Sequence, residues 1–159
     1  MRLPLDKCSY SIIIRLNKDK EIKVGSLKMI HLVEGFYVYN GSAYGSGGLV
    51  SRIKHHLKKR KKLHWHIDYV TSSHNCNVLQ VVACKERNLE KRISLAMLAD
   101  KNFSEIPKFG ATDDAIVKSH FFLIKANSKR DAIRKVKKVY KKTKKKNEVT
   151  TYLPSFFAI

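Results

Sequence analysis

Apolar residues in this chain fall into short β-branched runs broken by polar turns, with three stretches of helical period among them. Residues 9–16 (SYSIIIRL) read as a strand, and residues 17–20 as a turn. Residues 21–24 and 29–33 predict two further short strands, broken near Gly25-Ser26, and residues 35–40 (GFYVYN) another. Residues 41–48 (GSAYGSGG) predict a loop, because glycine tolerates positive φ and close backbone approach. A helix is expected over 49–59, where Leu49, Ile53 and Leu57 recur at a spacing of four. Residues 65–70 read as extended, 78–84 as a core strand, and 90–99 as a helix with Leu89, Ile93, Ala96 and Met97 inward. Residues 103–118, which contain Pro107 and Gly110, predict an ordered loop, and 120–124 the last clear strand. Ser128 is placed to N-cap a helix running to about residue 145, with Asp131 at its third position. The tail 149–159 turns apolar again and is expected to dock on the body.

This alternation predicts an α/β fold: a small central mixed sheet flanked by helices, with a basic C-terminal helix added. The expected division is a domain over 1–126 and a helix and tail over 127–159, packed on the same domain. At 159 residues the chain is long enough for a core that needs neither disulfides nor a structural metal.

Charge changes the picture. The formal net charge is +20, a self-repulsion that a polyanion relieves. It is also unevenly spread: residues 35–67 contain no Asp or Glu. Between Arg52 and Lys62, seven of eleven residues are Lys or Arg, and so are eleven of the nineteen from Ser128 to Lys146. Contacts with phosphates would release condensed counterions and favour binding. The candidate phosphate contacts are Lys54, Lys58, Lys59, Arg60, Lys61 and Lys62 in the first cluster, and Arg134, Lys138 and Lys141 in the second. Three separated cysteines with no CxxC argue against a disulfide framework and a zinc ribbon. The N-terminus lacks the apolar run of a signal peptide, and no apolar run is long enough for a membrane span, so a cytoplasmic protein is expected.

The glycine loop admits three readings. It lacks the GK[ST] ending of a Walker A loop and the GxGxxG spacing, so a nucleotide loop is weakly supported. It could be a flexible strand-to-helix connection. It could also open a helix whose free N–H groups meet an anion, with Arg52 one turn on as a bidentate phosphate donor. His64 and His66 alternate and would share a strand face; with His56 they invite a zinc site, but no HExxH or spaced third ligand supports one.

The run Gly35-Phe36-Tyr37-Val38-Tyr39-Asn40-Gly41-Ser42-Ala43, followed by Gly47-Gly48-Leu49, Arg52, His55-His56 and His64-Trp65-His66-Ile67-Asp68, resembles the GIY-YIG nuclease superfamily. More narrowly, it resembles the compact branch found alone or fused to endonuclease III. The likeness continues through Leu89-Glu90, Phe109-Gly110-Ala111-Thr112-Asp113 and Ser119-His120-Phe121, and covers roughly residues 10–122. The Tyr-Ile-Gly motif corresponds to Tyr39-Asn40-Gly41, and the Gly-Ile-Tyr motif to Cys8-Ser9-Tyr10, where only the tyrosine is kept.

The resemblance implies phosphodiester hydrolysis dependent on Mg²⁺ or Mn²⁺, with Tyr10, Tyr39, Arg52, His56 and Glu90 as the catalytic set and Glu90 as the metal ligand. Each part has a chemical rationale. Tyrosine can take the attacking water's proton if nearby cations lower its pKa. Arginine neutralises charge growing on the phosphoryl oxygens. A single carboxylate can hold a Mg²⁺ that keeps several waters. Asp113 and His120 are further candidates without assigned roles. The plainer readings are core aromatics for the tyrosines, a solvated face for Arg52, and a helix-dipole preference for Glu90. The expected function is a DNA endonuclease or repair-associated nuclease, with DNA favoured over RNA as partner and no membrane. The rival is a non-catalytic nucleic-acid-binding module on the same scaffold. An RNA-associated protein shares the charge, but no RNP-type aromatic motif supports it.

Overall fold

The computed structural model describes residues 6–26, 29–110 and 116–158. In chain order the elements are β1 (Ser9–Leu16), β2 (Lys20–Lys23), β3 (Met29–Leu32), β4 (Gly35–Ser42), α1 (Gly48–Leu57) and α2 (Asp68–Thr71). They continue with β5 (Cys76–Cys84), α3 (Leu89–Leu98), β6 (Phe103–Glu105), β7 (Phe121–Ile124), α4 (Lys129–Thr143), β8 (Val149–Tyr152) and a 3₁₀ turn over Pro154–Phe157. Six strands form one sheet in the order β6-β7-β4-β1-β5-β8, while β2 and β3 pair separately as a hairpin. Every neighbouring pair in the large sheet is antiparallel, so the expected mixed sheet is corrected.

β1 is central, and helices cover both of its faces, which is why Ile12, Ile13 and Ile14 follow one another instead of alternating with polar residues. Ile12 and Ile14 pack with Leu49 and Ile53 of α1 and Val70 of α2. Ile13 points the other way, into a core with Leu89, Ile93 and Met97 of α3 and Ala132, Val136 and Tyr140 of α4. Burying each such aliphatic side chain contributes about 2 kcal/mol relative to exposure. α4 begins where its cap predicts: Ser128 Oγ accepts from the Asp131 N–H at 3.1 Å. Far from being an appendage, α4 closes one face of the sheet, and Tyr140 shares a 2.6 Å hydrogen bond with Ser11 of β1.

Three local expectations are corrected. Residues 65–70 are not extended: the Asp68 carboxylate accepts the N–H groups of His64 and Trp65 at 2.8 and 2.9 Å, which closes a turn leading into α2. His64 and His66 therefore share no strand face. The stretch 103–118 is not all loop, because β6 pairs with β7 at the sheet edge. The last strand is β8, which pairs with β5; the apolar tail then packs Tyr152, Phe156 and Phe157 on one another. Among the described residues no helix is long and apolar enough to cross a membrane.

Candidate active site

The glycine loop delivers α1 in an unexpected way. Gly47 and Gly48 both have positive φ (87° and 60°), and a Cβ on Gly48 would run into Asp6. The Leu49 N–H donates to the Asp6 carbonyl at 2.8 Å, and the Gly48 N–H to Gly45 O at 3.3 Å. The chain's own residues thus occupy the start of α1, which corrects the reading of these N–H groups as an open anion site. The loop's consequence is instead the aim of Arg52, whose guanidinium lies 4.3 Å from the centroid of the Trp65 ring. Trp65 is itself fixed by the Asp68 turn. The buried Asp68 carboxylate also meets His55 Nε2 at 3.0 Å and Lys61 Nζ at 3.8 Å.

One turn after Arg52, His56 is buried, with Nε2 2.7 Å from the Tyr10 hydroxyl. Burial, reinforced by the positive charge of Lys61, lowers the His56 pKa from 6.5 to about 3. The imidazole is therefore neutral at neutral pH. Its Nδ1 has no hydrogen-bond partner among the described residues, an orphan that costs free energy in a buried position. Tyr10 lies across Gly41, its register partner on β4: a Cβ at 41 would come within 2.6 Å of the phenol carbon and oxygen. Tyr39, two residues before Gly41, projects to the same face, its ring centroid 6.0 Å from that of His56.

Burial raises the pKa of both tyrosines, Tyr10 well above 10 and Tyr39 to about 12, and outweighs the opposing charge of Arg52. The condition under which a tyrosine would act alone as the base, a pKa lowered by neighbouring cations, is therefore not met. Both phenols hold their protons, and Tyr10 can donate its own to the neutral His56 Nε2.

Glu90 stands in the first turn of α3, 8% exposed. Ser9 Oγ lies 2.7 Å from Glu90 Oε2 and 2.7 Å from the Glu86 carbonyl oxygen. One hydroxyl carries one proton, so it serves these two acceptors by turns. No cation pairs with Glu90 among the described residues. Tyr10, Tyr39, Arg52, Glu90, Gly41, Gly110, Trp65 and His120 line a single cavity of about 220 Å³, with His56 directly behind Tyr10.

Asn40 and His120 belong to a chain of polar groups that the sequence reading missed. His120 Nδ1 meets Ser94 Oγ at 2.7 Å, and Ser94 accepts from Asn40 Nδ2 at 3.0 Å. Asn40 Oδ1 in turn accepts from Ser11 Oγ at 2.6 Å. The available signal was Asn40 itself, a polar residue in an otherwise apolar strand that requires buried partners. Asp113 lies outside the described residues.

The expected phosphate contacts divide in two. Lys54, Lys58, Arg60 and Lys62 are exposed. Lys59 is exposed too, although its ammonium bonds inward; Lys61 is turned in altogether, which corrects its assignment. Lys59 Nζ donates to the carbonyls of Thr71, Ser73 and Cys76 at 2.5–2.9 Å. Lys61, its side chain 2% exposed, donates to the carbonyls of His55 and His56 and to Thr71 Oγ1. Arg134, Lys138 and Lys141 are exposed on α4, across the sheet from α1. His66 Nδ1 accepts the Gly110 N–H at 2.9 Å, and no three His, Cys, Asp or Glu side chains group to hold a metal among the described residues.

Residues 9–145 match the model of a family described as Domain of unknown function DUF123. The chain belongs to the DUF123 family. Its match spans every residue that lines the cavity. No curated protein and no solved structure matches the chain.

Proposed function

We propose that this protein is a metal-dependent nuclease that hydrolyses phosphodiester bonds in DNA. The observation that carries the reading is the convergence of Tyr10, Tyr39, Arg52 and Glu90, from β1, β4, α1 and α3, on one cavity in a strongly basic chain. The resemblance of the same residues, in the same order, to the GIY-YIG nucleases supports it.

The residues fit a divalent cation held by one carboxylate. Glu90 is nearly buried, unpaired with any cation among the described residues, and half-satisfied by a shared Ser9 proton. An oxygen donor of this kind suits Mg²⁺ or Mn²⁺, which retain several waters. Bound there, the ion would supply charge stabilisation to the leaving oxygen. Arg52, braced on Trp65, neutralises the non-bridging phosphoryl oxygens. Tyr39 stays protonated and donates a hydrogen bond to the phosphate. The Tyr10 oxygen takes a proton from the attacking water while its own proton passes to His56 Nε2, so no free phenolate forms. That transfer is uphill in the empty pocket; the negative charge of a phosphodiester offsets the positive field of Arg52 and Lys61 acting on the imidazole.

The test is cleavage of supercoiled plasmid and branched DNA with Mg²⁺ or Mn²⁺. Wild type should cut only with metal, and Glu90→Gln should cut at least about 100-fold more slowly, the scale of one lost transition-state contact, while binding DNA as well as wild type. Metal-independent, salt-sensitive binding without cutting on any of these substrates would instead make the chain a binding module on a nuclease scaffold. Duplex RNA outcompeting DNA of equal length would move the substrate class to RNA.

A further inference from the structure

The charged clusters lie on opposite faces of the sheet. α1 packs on the face of Ile12 and Ile14 through Leu49 and Ile53, and α4 packs on the face of Ile13 through Ala132 and Val136. With one helical layer on each side of the sheet, the outer surfaces of α1 and α4 are roughly 30 Å apart. A straight duplex lying along one therefore does not reach the other.

On its outer side α4 carries a groove of about 450 Å³ lined by Arg130, Ile133, Arg134, Lys137, Lys138 and Lys141. The cations run over twelve residues, Arg130 to Lys141, about 16 Å of helix. The single acid on the helix, Asp131, is engaged by Arg134 and Lys135 at 2.6 and 3.2 Å, which leaves Arg130, Lys137, Lys138 and Lys141 as the unneutralised part of the groove. The helix's apolar side is spent on the core: Ala132, Val136, Val139 and Tyr140 are buried. A basic helix that lies in a bilayer surface needs a free apolar face to insert. Here only the half-buried Ile133 is left among the groove's lining residues, so the surface recognises charge without insertion. A duplex presents one negative charge per ~1.7 Å of axis, a density that matches such a ridge.

We propose that the outer face of α4 is a second duplex-binding surface, independent of the face that carries α1, so that one chain holds two nucleic-acid segments at once. The inference rests on nucleic acid being the partner. It does not require cutting, and it places the second segment across the sheet from Arg52.

The test is capture of a fluorescent duplex on beads bearing a different, biotinylated duplex. It uses full-length protein shown to be monomeric by sedimentation, without divalent metal. Three proteins are compared: wild type, an α4 variant (Lys137→Gln, Lys138→Gln, Lys141→Gln) and an α1-face variant (Lys54→Gln, Lys58→Gln, Arg60→Gln). All these positions except the half-buried Lys137 are exposed, and thermal melts establish that each variant folds. Wild type should bridge the duplexes and sediment with two per chain. Each variant should still bind one duplex but bridge at least tenfold less. The salt slope of the α4 site should flatten by about 0.9 per phosphate contact removed.

Bridging by the α4 variant at the wild-type level, or one duplex per wild-type chain, overturns the proposal and leaves nucleic acid as the partner. No duplex binding by any protein overturns both. Phosphatidylserine vesicles that bind wild type but not the α4 variant, with no competition from duplex, would reassign the groove to a membrane surface and also overturn the proposal.

Discussion

His56 makes the stability of this fold depend on pH in a calculable way. Its pKa is 6.5 in an unfolded chain and about 3 in the native one, chiefly because burial disfavours the charged ring. Above pH 6.5 neither state carries the proton, and His56 contributes no pH dependence. As pH falls below 6.5 the unfolded chain takes up a proton that the native state refuses until about pH 3, so stability is lost across that window. At about 1.4 kcal/mol per pH unit, acidification from pH 7 to 5 costs about 2 kcal/mol through this one residue. Against a total stability of about 5–15 kcal/mol that is a large share. In urea, with an m-value of about 2 kcal/mol/M, it moves the midpoint by about 1 M. Other histidines titrate nearby, and burial lowers His66 as well, so the measurement is a difference. His56→Gln keeps a polar side chain beside Tyr10 but does not titrate. Urea melts of both proteins at pH 7 and pH 5 should show a midpoint loss about 1 M greater in wild type. Equal losses would mean that His56 carries a proton in the native state or meets solvent, and the neutral Tyr10–His56 pair would be wrong.

Lys61→Met should destabilise the fold by about 3 kcal/mol, because it strips a cation from the buried Asp68, yet leave duplex affinity unchanged when measured by fluorescence anisotropy. A similar loss of affinity to that of Lys58→Met would restore Lys61 to the phosphate surface. Gly41→Ala forces a Cβ to within 2.6 Å of the Tyr10 ring and should cost about 1–3 kcal/mol in a denaturant melt; cleavage should fall more than binding. Because Tyr10 and His56 both stay neutral between about pH 5 and 9, kcat/KM for cleavage should show no inflection from this pair over that range. An inflection near pH 8 that disappears in Tyr10→Phe, measured on residual activity, would mean that a phenolate is the working base.

The elements legible from sequence are those whose signal is local. β1 shows as a β-branched run, and α4 shows through Ser128 and Asp131 at its start. The elements misread depend on distant partners. Residues 65–70 alternate like a strand, but Asp68 collects two N–H groups of its own segment and curls it into a turn. β8 is polar and half-buried, and its pairing with β5, across more than sixty residues, leaves no periodic trace. The candidate site divides in the same way. Tyr10, Tyr39, Arg52 and Glu90 stand out by residue type and order. The direction in which Lys59 and Lys61 point was not legible, because a lysine in a basic run looks the same whether its ammonium meets phosphates or the carbonyls of residues 71–76. The direction of the tyrosine pKa shifts was not legible, because charge is visible in a sequence and burial is not.

The departure of Cys8-Ser9 from the Gly-Ile pattern has a structural answer in the strand pairing. The position that must lack a side chain is 41, because Tyr10 crosses β4 there. Residue 8 meets no such constraint: Cys8 sits fully buried in the core, and burial pushes its thiol up to about 12, so it is an inert apolar filler. Residue 9 has a role that isoleucine could not fill, since its hydroxyl bonds Glu90 from the face of β1 opposite to Tyr10. Two consecutive residues of one strand thus reach the two ends of the site by opposite routes, the tyrosine directly and the serine through the carboxylate it holds. A strand buried on both faces is what makes that possible, because a strand covered on one face only would leave one of the two side chains in water. A cysteine at residue 8 therefore suits the packing around Tyr10, and the serine binds α3 to the strand that carries the phenol.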